Sequence, residues 1–148
     1  MLLKRAERRY RLTTADYARL AAFRAQVREF LHFSEDAAAK AGLTAQHYQA
    51  MLILRACPEG EAVTINDLAR QLFIRHNSAV GLVDRLVREG LVAREAAKGD
   101  RRKVELRLSS RGRQVLAKLA GMHRRELERI GPLLKQLIAD VFREAPPG

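Results

Sequence analysis

Two neighbouring stretches decide the fold of this chain: Leu82-Val83-Asp84-Arg85-Leu86-Val87-Arg88-Glu89-Gly90-Leu91-Val92 and Lys98-Gly99-Asp100-Arg101-Arg102-Lys103-Val104. In the first, apolar residues recur at helical spacing until Gly90 ends the pattern, and a short apolar strand begins. The second is an arginine-rich loop that leads into a strand of alternating apolar and polar residues. This order of helix, strand, basic loop and strand predicts a winged helix-turn-helix.

Helical patterns flank this motif on both sides. The predicted helices run from Thr14 to Ala41-Gly42, from Thr44 to the Cys57–Gly60 turn, from Thr64 to Leu72 and from Asn77 to Glu89. Each of the three threonines is expected to cap its helix. After the hairpin, Ser109 or Ser110 begins a long helix that Gly131-Pro132 is expected to break, and a last apolar helix follows.

Composition and charge restrict the class of protein. The 148 residues include 28 Lys and Arg against 17 Asp and Glu, a net charge of +11, and 47% are hydrophobic. This predicts a globular protein with a polyanionic partner, either nucleic acid or an anionic membrane surface. We expect a cytoplasmic, nucleoid-associated protein, because no stretch resembles a signal peptide or a spanning helix. The single cysteine, Cys57, agrees with a reducing compartment.

The helix from Asn77 to Glu89 has two different faces. The inward face is expected to pack on the preceding helix through Ala79, Leu82, Val83 and Leu86 against Leu68, Ala69 and Leu72. The outward face begins with small polar groups, which suits a major groove because backbone N–H groups and short side chains can approach phosphates and base edges there. Its members are Asn77, Ser78, Gly81, Asp84, Arg85 and Arg88. An ordinary solvated face is the alternative interpretation.

The predicted hairpin favours the DNA-binding interpretation. Its second strand should bury Val104, Leu106 and Leu108, while the loop from Ala96 to Arg102 projects cations toward a narrow minor groove. Eleven basic and six acidic residues lie between Thr64 and Gly112, which concentrates a net charge of +5 there. The candidate DNA-binding residues are Arg75, His76, Asn77, Ser78, Gly81, Arg85, Lys98, Arg101 and Arg102.

At these residues the chain resembles the MarR family of bacterial transcriptional regulators. The resemblance is carried by Leu68-Ala69 with Leu72, Val83–Leu86, Gly90–Val92, Asp100–Arg102 and Leu108–Gly112. It implies that Arg102 enters the minor groove, that Asp100 braces Arg102 through a salt bridge and that Arg101 reaches the DNA backbone. The recognition helix departs from the commoner Ser-Pro-Ser-Thr start, since it begins Arg75-His76-Asn77-Ser78-Ala79.

The resemblance also implies a homodimer in which the terminal helices intertwine. The expected fold class is mainly α with a small β-hairpin wing, a winged helix-turn-helix flanked by N- and C-terminal dimerisation helices. Residues 1–43 would form a basic leader and a dimerisation helix, 44–112 the DNA-binding domain, and 113–148 the C-terminal dimerisation helices. The terminal helices carry more apolar surface than the winged motif needs, which independently favours a dimer.

The resemblance also implies a small-ligand pocket between the dimerisation helices and the winged domain. In the family this pocket often binds anionic aromatic compounds. Phe30, Phe33, His47 and Met51 could line it, and ordinary core packing is the alternative for each. Cys57 suggests a redox switch, but the oxidant-sensing cysteines of relatives lie near the start of the first helix. A structural thiol is therefore favoured.

No enzyme, metal site or cofactor is predicted. The four histidines are scattered without ligand spacing, and neither a phosphate-binding loop nor a nucleophile motif is present. The chain is thus interpreted as a sequence-specific regulator of double-stranded DNA with a pseudo-palindromic operator, a repressor released by a small ligand. The alternatives are a basic protein that coats DNA without sequence preference and a thiol-based redox sensor.

Overall fold

The computed structural model describes residues 11–143, so the basic leader and the C-terminal tail lie outside the described residues. These residues form five helices and one hairpin: α1 (Thr14–Lys40), α2 (Ala45–Ala56), α3 (Ile65–Leu72), α4 (His76–Arg88), β1 (Val92–Ala97), β2 (Asp100–Leu108) and α5 (Ser110–Val141). The predicted fold class, mainly α with a β-hairpin wing, is confirmed.

The chain divides into two compact units. Of the described residues, the first contains 11–33 and 124–143, and the second contains 34–123, which include the winged motif. The core of the second unit is apolar: its largest fully buried side chains are Met51, Leu68, Val83 and Leu86. The burial of Ala79, Leu82, Val83 and Leu86 on α4, with Leu68 and Ala69 on α3, agrees with the predicted inward face.

Threonine side chains cap the N-termini of the first three helices. Thr64 caps α3 in a capping box with Asp67, whose carboxylate accepts a hydrogen bond from the Thr64 backbone N–H at 2.9 Å. Thr44 caps α2 in the same manner, with His47 as its reciprocal partner. At α1 the cap is Thr13 and not Thr14, because the Oγ1 of Thr13 accepts from the backbone N–H of Asp16.

The hairpin is longer and tighter than expected. Antiparallel pairing runs from Val92 opposite Leu108 to Ala97 opposite Asp100, so only Lys98 and Gly99 form the tip. Gly99 has a φ of +90°, which is a conformation that glycine adopts without strain. The expected loop from Ala96 to Arg102 is therefore mostly strand.

Burial within β2 also differs from the prediction. Leu106 is buried and its backbone N–H donates to the carbonyl oxygen of Val63 at 2.8 Å, which adds a third backbone segment beside the hairpin. Val104 was expected to be buried but is exposed, because it lies on the half of the hairpin that extends beyond the core. Leu108 is half-buried.

The predicted break at Gly131-Pro132 is wrong. Helix α5 continues through Pro132 to Val141 as one element. The φ of proline is compatible with a helix; the residue removes one N–H hydrogen bond and its ring crowds the carbonyl group four residues earlier, but the helix continues past it. Apolar residues continue at helical spacing on both sides of Pro132, so a single helix replaces the two C-terminal helices that were expected.

Candidate nucleic-acid interface

The N-terminal half of α4 forms an exposed polar edge of the second unit. His76, Asn77, Ser78 and Gly81 are all exposed, and Arg75 is the N-cap residue of the helix. Arg75 makes no side-chain capping hydrogen bond. A Cβ atom placed on Gly81 would meet no heavy atom within 4 Å, so open space lies in front of this part of the helix.

His76 is held by Asn66, a residue that no sequence motif indicated. The Nδ1 of His76 lies 2.7 Å from the Oδ1 of Asn66, which lies in the first turn of α3. An amide oxygen can only accept, so this contact requires the hydrogen of the imidazole on Nδ1. The Nε2 atom then stays available for a partner outside the chain. The only sequence signal for Asn66 was its position in the first turn after the Thr64 cap.

The distal half of the hairpin carries cations that have no acidic partner among the described residues. Lys98, Arg101, Arg102 and Lys103 are exposed, and their side chains form no ion pair within residues 11–143. The cations nearer the core differ, because Arg107 pairs with Glu95 at 2.8 Å and Arg94 pairs with Asp84 of α4. The four distal side chains therefore keep positive charge near the tip of the hairpin that is unpaired among the described residues.

Asp100 contacts Arg102 in a way that was not expected. The Oδ1 of Asp100 accepts a hydrogen bond from the backbone N–H of Arg102 at 3.0 Å, whereas the implied contact was a salt bridge to the guanidinium. The carboxylate thus shapes the backbone of β2 directly after the turn. The guanidinium of Arg102 remains exposed.

A concavity of about 450 Å³ lies between the wing and the helix pair. Its lining residues come from the first turn of α3, the start of α4 and strand β2: Thr64, Ile65, Asn66, Asp67, His76, Arg102, Lys103 and Val104. The predicted residues His76 and Arg102 therefore lie on one surface. Asn66 and Lys103 belong to the same surface, although neither was predicted to contact DNA.

The one carboxylate in this concavity is already bound. Asp67 accepts from the backbone N–H of Thr64 at 2.9 Å and from Arg70 at 2.7 Å. The backbone hydrogen bond from Thr64 is the main cause that lowers the pKa of Asp67 below its usual value of 3.8, with a further contribution from Arg70. Its charge is thus partly balanced within the cap of α3.

Arg85 differs from the other candidate cations because its side chain is engaged within the chain. Its Nε lies 3.1 Å from a carboxylate oxygen of Glu89, and its Nη2 donates to the carbonyl oxygen of Gly42 at 3.3 Å. These contacts orient the guanidinium toward the end of α1. A DNA contact by Arg85 stays a prediction.

The suggested ligand residues are divided between the two units. Phe30 and Phe33 are half-buried on the part of α1 that belongs to the first unit, and His47 and Met51 lie on α2 in the second. Met51 is fully buried, and the ring of His47 accepts the hydrogen bond from the backbone N–H of Thr44 at 3.0 Å. None of the three concavities found among the described residues is lined by any of them.

Cys57 follows α2 and is partly exposed. It lines two concavities, of about 570 and 210 Å³, beside the Pro58 turn. Within residues 11–143, no cluster of three His, Cys, Asp or Glu side chains could hold a metal ion. Of the helices in that range, none combines the length and apolar character needed to cross a membrane.

A model of the MarR family matches residues 41–103, which include α2, α3, α4 and most of the wing. Over these residues the chain is similar to the MarR family. This similarity supports a DNA-binding transcriptional regulator. The family resemblance that the sequence predicted is thereby confirmed. No curated protein sequence matches the chain significantly.

Solved structures share the fold of this chain. It is similar to AbsC, a MarR family transcriptional regulator from Streptomyces coelicolor, with a TM-score of 0.69 and 24% identity over 80% of this chain and 79% of that one. A mutant of Staphylococcus aureus MepR, bound to an oligodeoxyribonucleotide, gives a TM-score of 0.65 at 18% identity, covering 84% and 97%. Wild-type MarR from E. coli gives 0.62 at 18% identity, covering 78% and 90%.

Proposed function

We propose that this protein is a homodimeric MarR-family repressor that binds a pseudo-palindromic operator through α4 and the wing and is released by a small ligand. The observation that carries the DNA-binding surface is the pairing pattern of the wing cations. Arg94 and Arg107 have acidic partners, whereas Lys98, Arg101, Arg102 and Lys103 have none among the described residues. Unpaired exposed cations beside an exposed helix N-terminus suit contacts to phosphates and to the minor groove.

The proposed roles divide between the two elements. Asn77 and Ser78, with Gly81 allowing close approach, would contact base edges in the major groove. His76 and Arg75, at the start of α4, would contact bases or phosphates. Arg102 would enter the minor groove, while Lys98 and Arg101 would contact the backbone.

The distribution of exposed apolar residues supports the homodimer. Eight of the eleven exposed large hydrophobic residues belong to the first unit: Leu12, Tyr17, Leu20, Leu31, Leu127, Leu133, Ile138 and Phe142. Such a concentration is typical of an interface between copies of a chain. Sedimentation equilibrium at micromolar concentration should give the mass of a dimer, and a stable monomer would contradict the proposal.

A dimer with two-fold symmetry would place two recognition helices in successive major grooves. The half-sites should therefore lie roughly 10 base pairs apart. Selection from random duplexes should return an inverted repeat, and hydroxyl-radical footprints should be symmetric about its centre. If the selection returned no motif and affinity depended on salt alone, the DNA-coating alternative would replace this proposal.

Release of the repressor by a small ligand is supported by the resemblance to the MarR family. A ligand that changed the separation of the recognition helices would weaken operator binding, and operator DNA would weaken ligand binding by the same factor, typically about 5- to 150-fold. Thermal-shift screening of small aromatic acids, followed by operator titration, tests this coupling. Phe30→Ala and His47→Gln in the presence of a hit test the suggested lining residues. In a reporter assay, a repressor should lower transcription until the ligand is added.

A thiol switch at Cys57 is the second candidate for regulation. The partial exposure of Cys57 beside two concavities is the observation that favours it. Peroxide should then reduce the operator affinity of the wild type and leave that of Cys57→Ser unchanged. An equal response of both proteins would exclude this switch.

A further inference from the structure

Phe73 lies in the turn between α3 and α4, and its side chain is 96% exposed. The next most exposed large hydrophobic residue in the described chain is Phe142, at 79% near the end of α5. Phe73 therefore contributes almost nothing to the core of its unit.

The backbone at Phe73 is also unusual for this residue type. Its φ of 54° and ψ of 40° are left-handed, a conformation that favours glycine or asparagine. The N–H of Phe73 donates to the carbonyl oxygen of Arg70, and the N–H of Ile74 donates to that of Ala69 at 3.0 Å, which is the Schellman pattern that ends helices. The turn thus needs a residue that tolerates positive φ, and phenylalanine is a poor choice for that need.

Neither burial nor backbone preference accounts for an aromatic ring here, so a contact outside the folded chain becomes the physical explanation. Phe73 lies close in the chain to the start of α4, the helix that is proposed to contact DNA. It precedes Arg75, the N-cap residue of α4, by two residues, and its Cα lies at most about 11 Å from that of His76, given the spacing of consecutive Cα atoms.

Phe73 lies in the sequence between two arginines, Arg70 and Arg75, the first of which pairs with Asp67. Arg70 and Arg75 are both exposed, and the side chain of Arg75 has no ion-pair partner among residues 11–143. A lone ring between cations is too small an apolar patch for a protein groove or a membrane. It does suit duplex DNA, where phosphates lie beside the thymine methyl groups that line the major groove.

We propose that the ring of Phe73 packs against the 5-methyl group of a thymine at the edge of the half-site that α4 contacts. Phe73 would then be a specificity-determining residue that adds a preference for thymine at this position. This inference rests on the proposed function, because it requires that α4 binds in the major groove of an operator.

The test uses the full chain and the operator duplex selected from random sequences, together with the same duplex in which deoxyuridine replaces thymidine. Wild type should lose about fourfold in affinity on the uracil duplex for each methyl group that the ring covers. Phe73→Asn should bind the thymine duplex more weakly by the same factor and should lose less on uracil substitution. Phe73→Tyr, which keeps the ring, should retain the affinity and thymine preference of the wild type.

Stability separates this role from a structural one. Asparagine tolerates the left-handed backbone and removes no packing, so Phe73→Asn should unfold at the same temperature as wild type or higher. If Phe73→Asn bound both duplexes with the same affinities as wild type, the proposed contact between Phe73 and DNA would be wrong. An equal effect of uracil on Phe73→Asn and wild type would overturn the assignment to a thymine methyl group. A change confined to self-association would instead place Phe73 in an interface between copies and overturn the inference.

The failure of this inference can be distinguished from failure of the proposed function. If wild type selects no sequence at all, the proposed operator binding is wrong. If wild type selects an operator and Phe73→Asn matches it on both duplexes, only the role of Phe73 is wrong.

Discussion

The carbonyl oxygen of Leu91 occupies the place where a side chain on Gly112 would begin: a Cβ atom on Gly112 would lie 2.1 Å from it. Ser109 links the same two segments, since its Oγ donates to the carbonyl oxygen of Gly90 at 2.6 Å and accepts from the N–H of Gly112 at 2.9 Å. The start of α5 is therefore fastened to the residues that lead from α4 into the wing. This contact explains the glycine in the Leu108–Gly112 motif.

We expect Gly112→Ala to lower the free energy of unfolding by about 1–3 kcal/mol, because the added methyl group forces the backbone at Leu91 to move. Urea denaturation measures the change. Gly121→Ala is the matched control, since a Cβ there meets no heavy atom within 4 Å and alanine is the better helix former. A Gly112→Ala protein as stable as wild type would show that the contact is not a tight one.

Gly81→Ala should separate stability from DNA binding. Nothing surrounds a Cβ at this position, so alanine should stabilise α4 by about 0.5–1 kcal/mol. The same methyl group should weaken operator binding, because it enters the space through which the helix approaches the bases. Gly121→Ala is again the control and should leave affinity unchanged. Equal or higher operator affinity in Gly81→Ala would remove Gly81 from the DNA-binding surface.

Arg102→Ala should weaken operator binding by about 1–3 kcal/mol and reduce the slope of log affinity against log salt by about 1. The reason is the loss of an exposed cation that has no acidic partner among the described residues. Asp100→Ala should weaken binding less, since it removes the hydrogen bond to the Arg102 backbone but also removes a negative charge that repels DNA phosphates. Arg124→Ala removes an exposed cation from α5 and serves as the control for net charge. Unchanged affinity and slope in Arg102→Ala would refute the role of the wing.

His47 should make stability depend on pH. Burial, and secondly the charge of Arg85, lowers the pKa of His47 below its usual value of 6.5. Between the folded and unfolded pKa values the unfolded chain binds more protons, so stability rises with pH in that window. The contribution is fully present above about pH 6.5 and is lost as the pH falls through the lowered pKa of the folded state.

His47→Gln provides the comparison for this pH dependence. Glutamine can keep the capping box with Thr44 but does not titrate. Urea denaturation from pH 5 to pH 7.5 should therefore show a smaller rise in stability for His47→Gln than for wild type. Parallel curves for the two proteins would show that His47 does not contribute.

The parts of the fold that the sequence predicted depend on local chemistry. Thr44 and Thr64 were recognised as caps because a cap needs only the residue three positions further along. The inward face of α4 could be predicted because helical spacing also depends only on residues three or four positions apart. The errors arose where local rules left a choice: Pro132 was expected to break α5, and Val104 was expected to be buried because it alternates with charged residues.

The sequence by itself determined the order of the elements up to the start of α5 and the position of the basic wing, because periodicity, caps and turn residues act over three to four neighbouring positions. Only the tertiary structure decided which cations remain unpaired. Arg94 finds Asp84 on another element and Arg107 finds Glu95 across the hairpin, while Arg102 finds no acid within the described chain. The pairing of Asn66 with His76 and the contact of Gly112 with Leu91 were likewise beyond the sequence, because packing between separate elements brings these residues together.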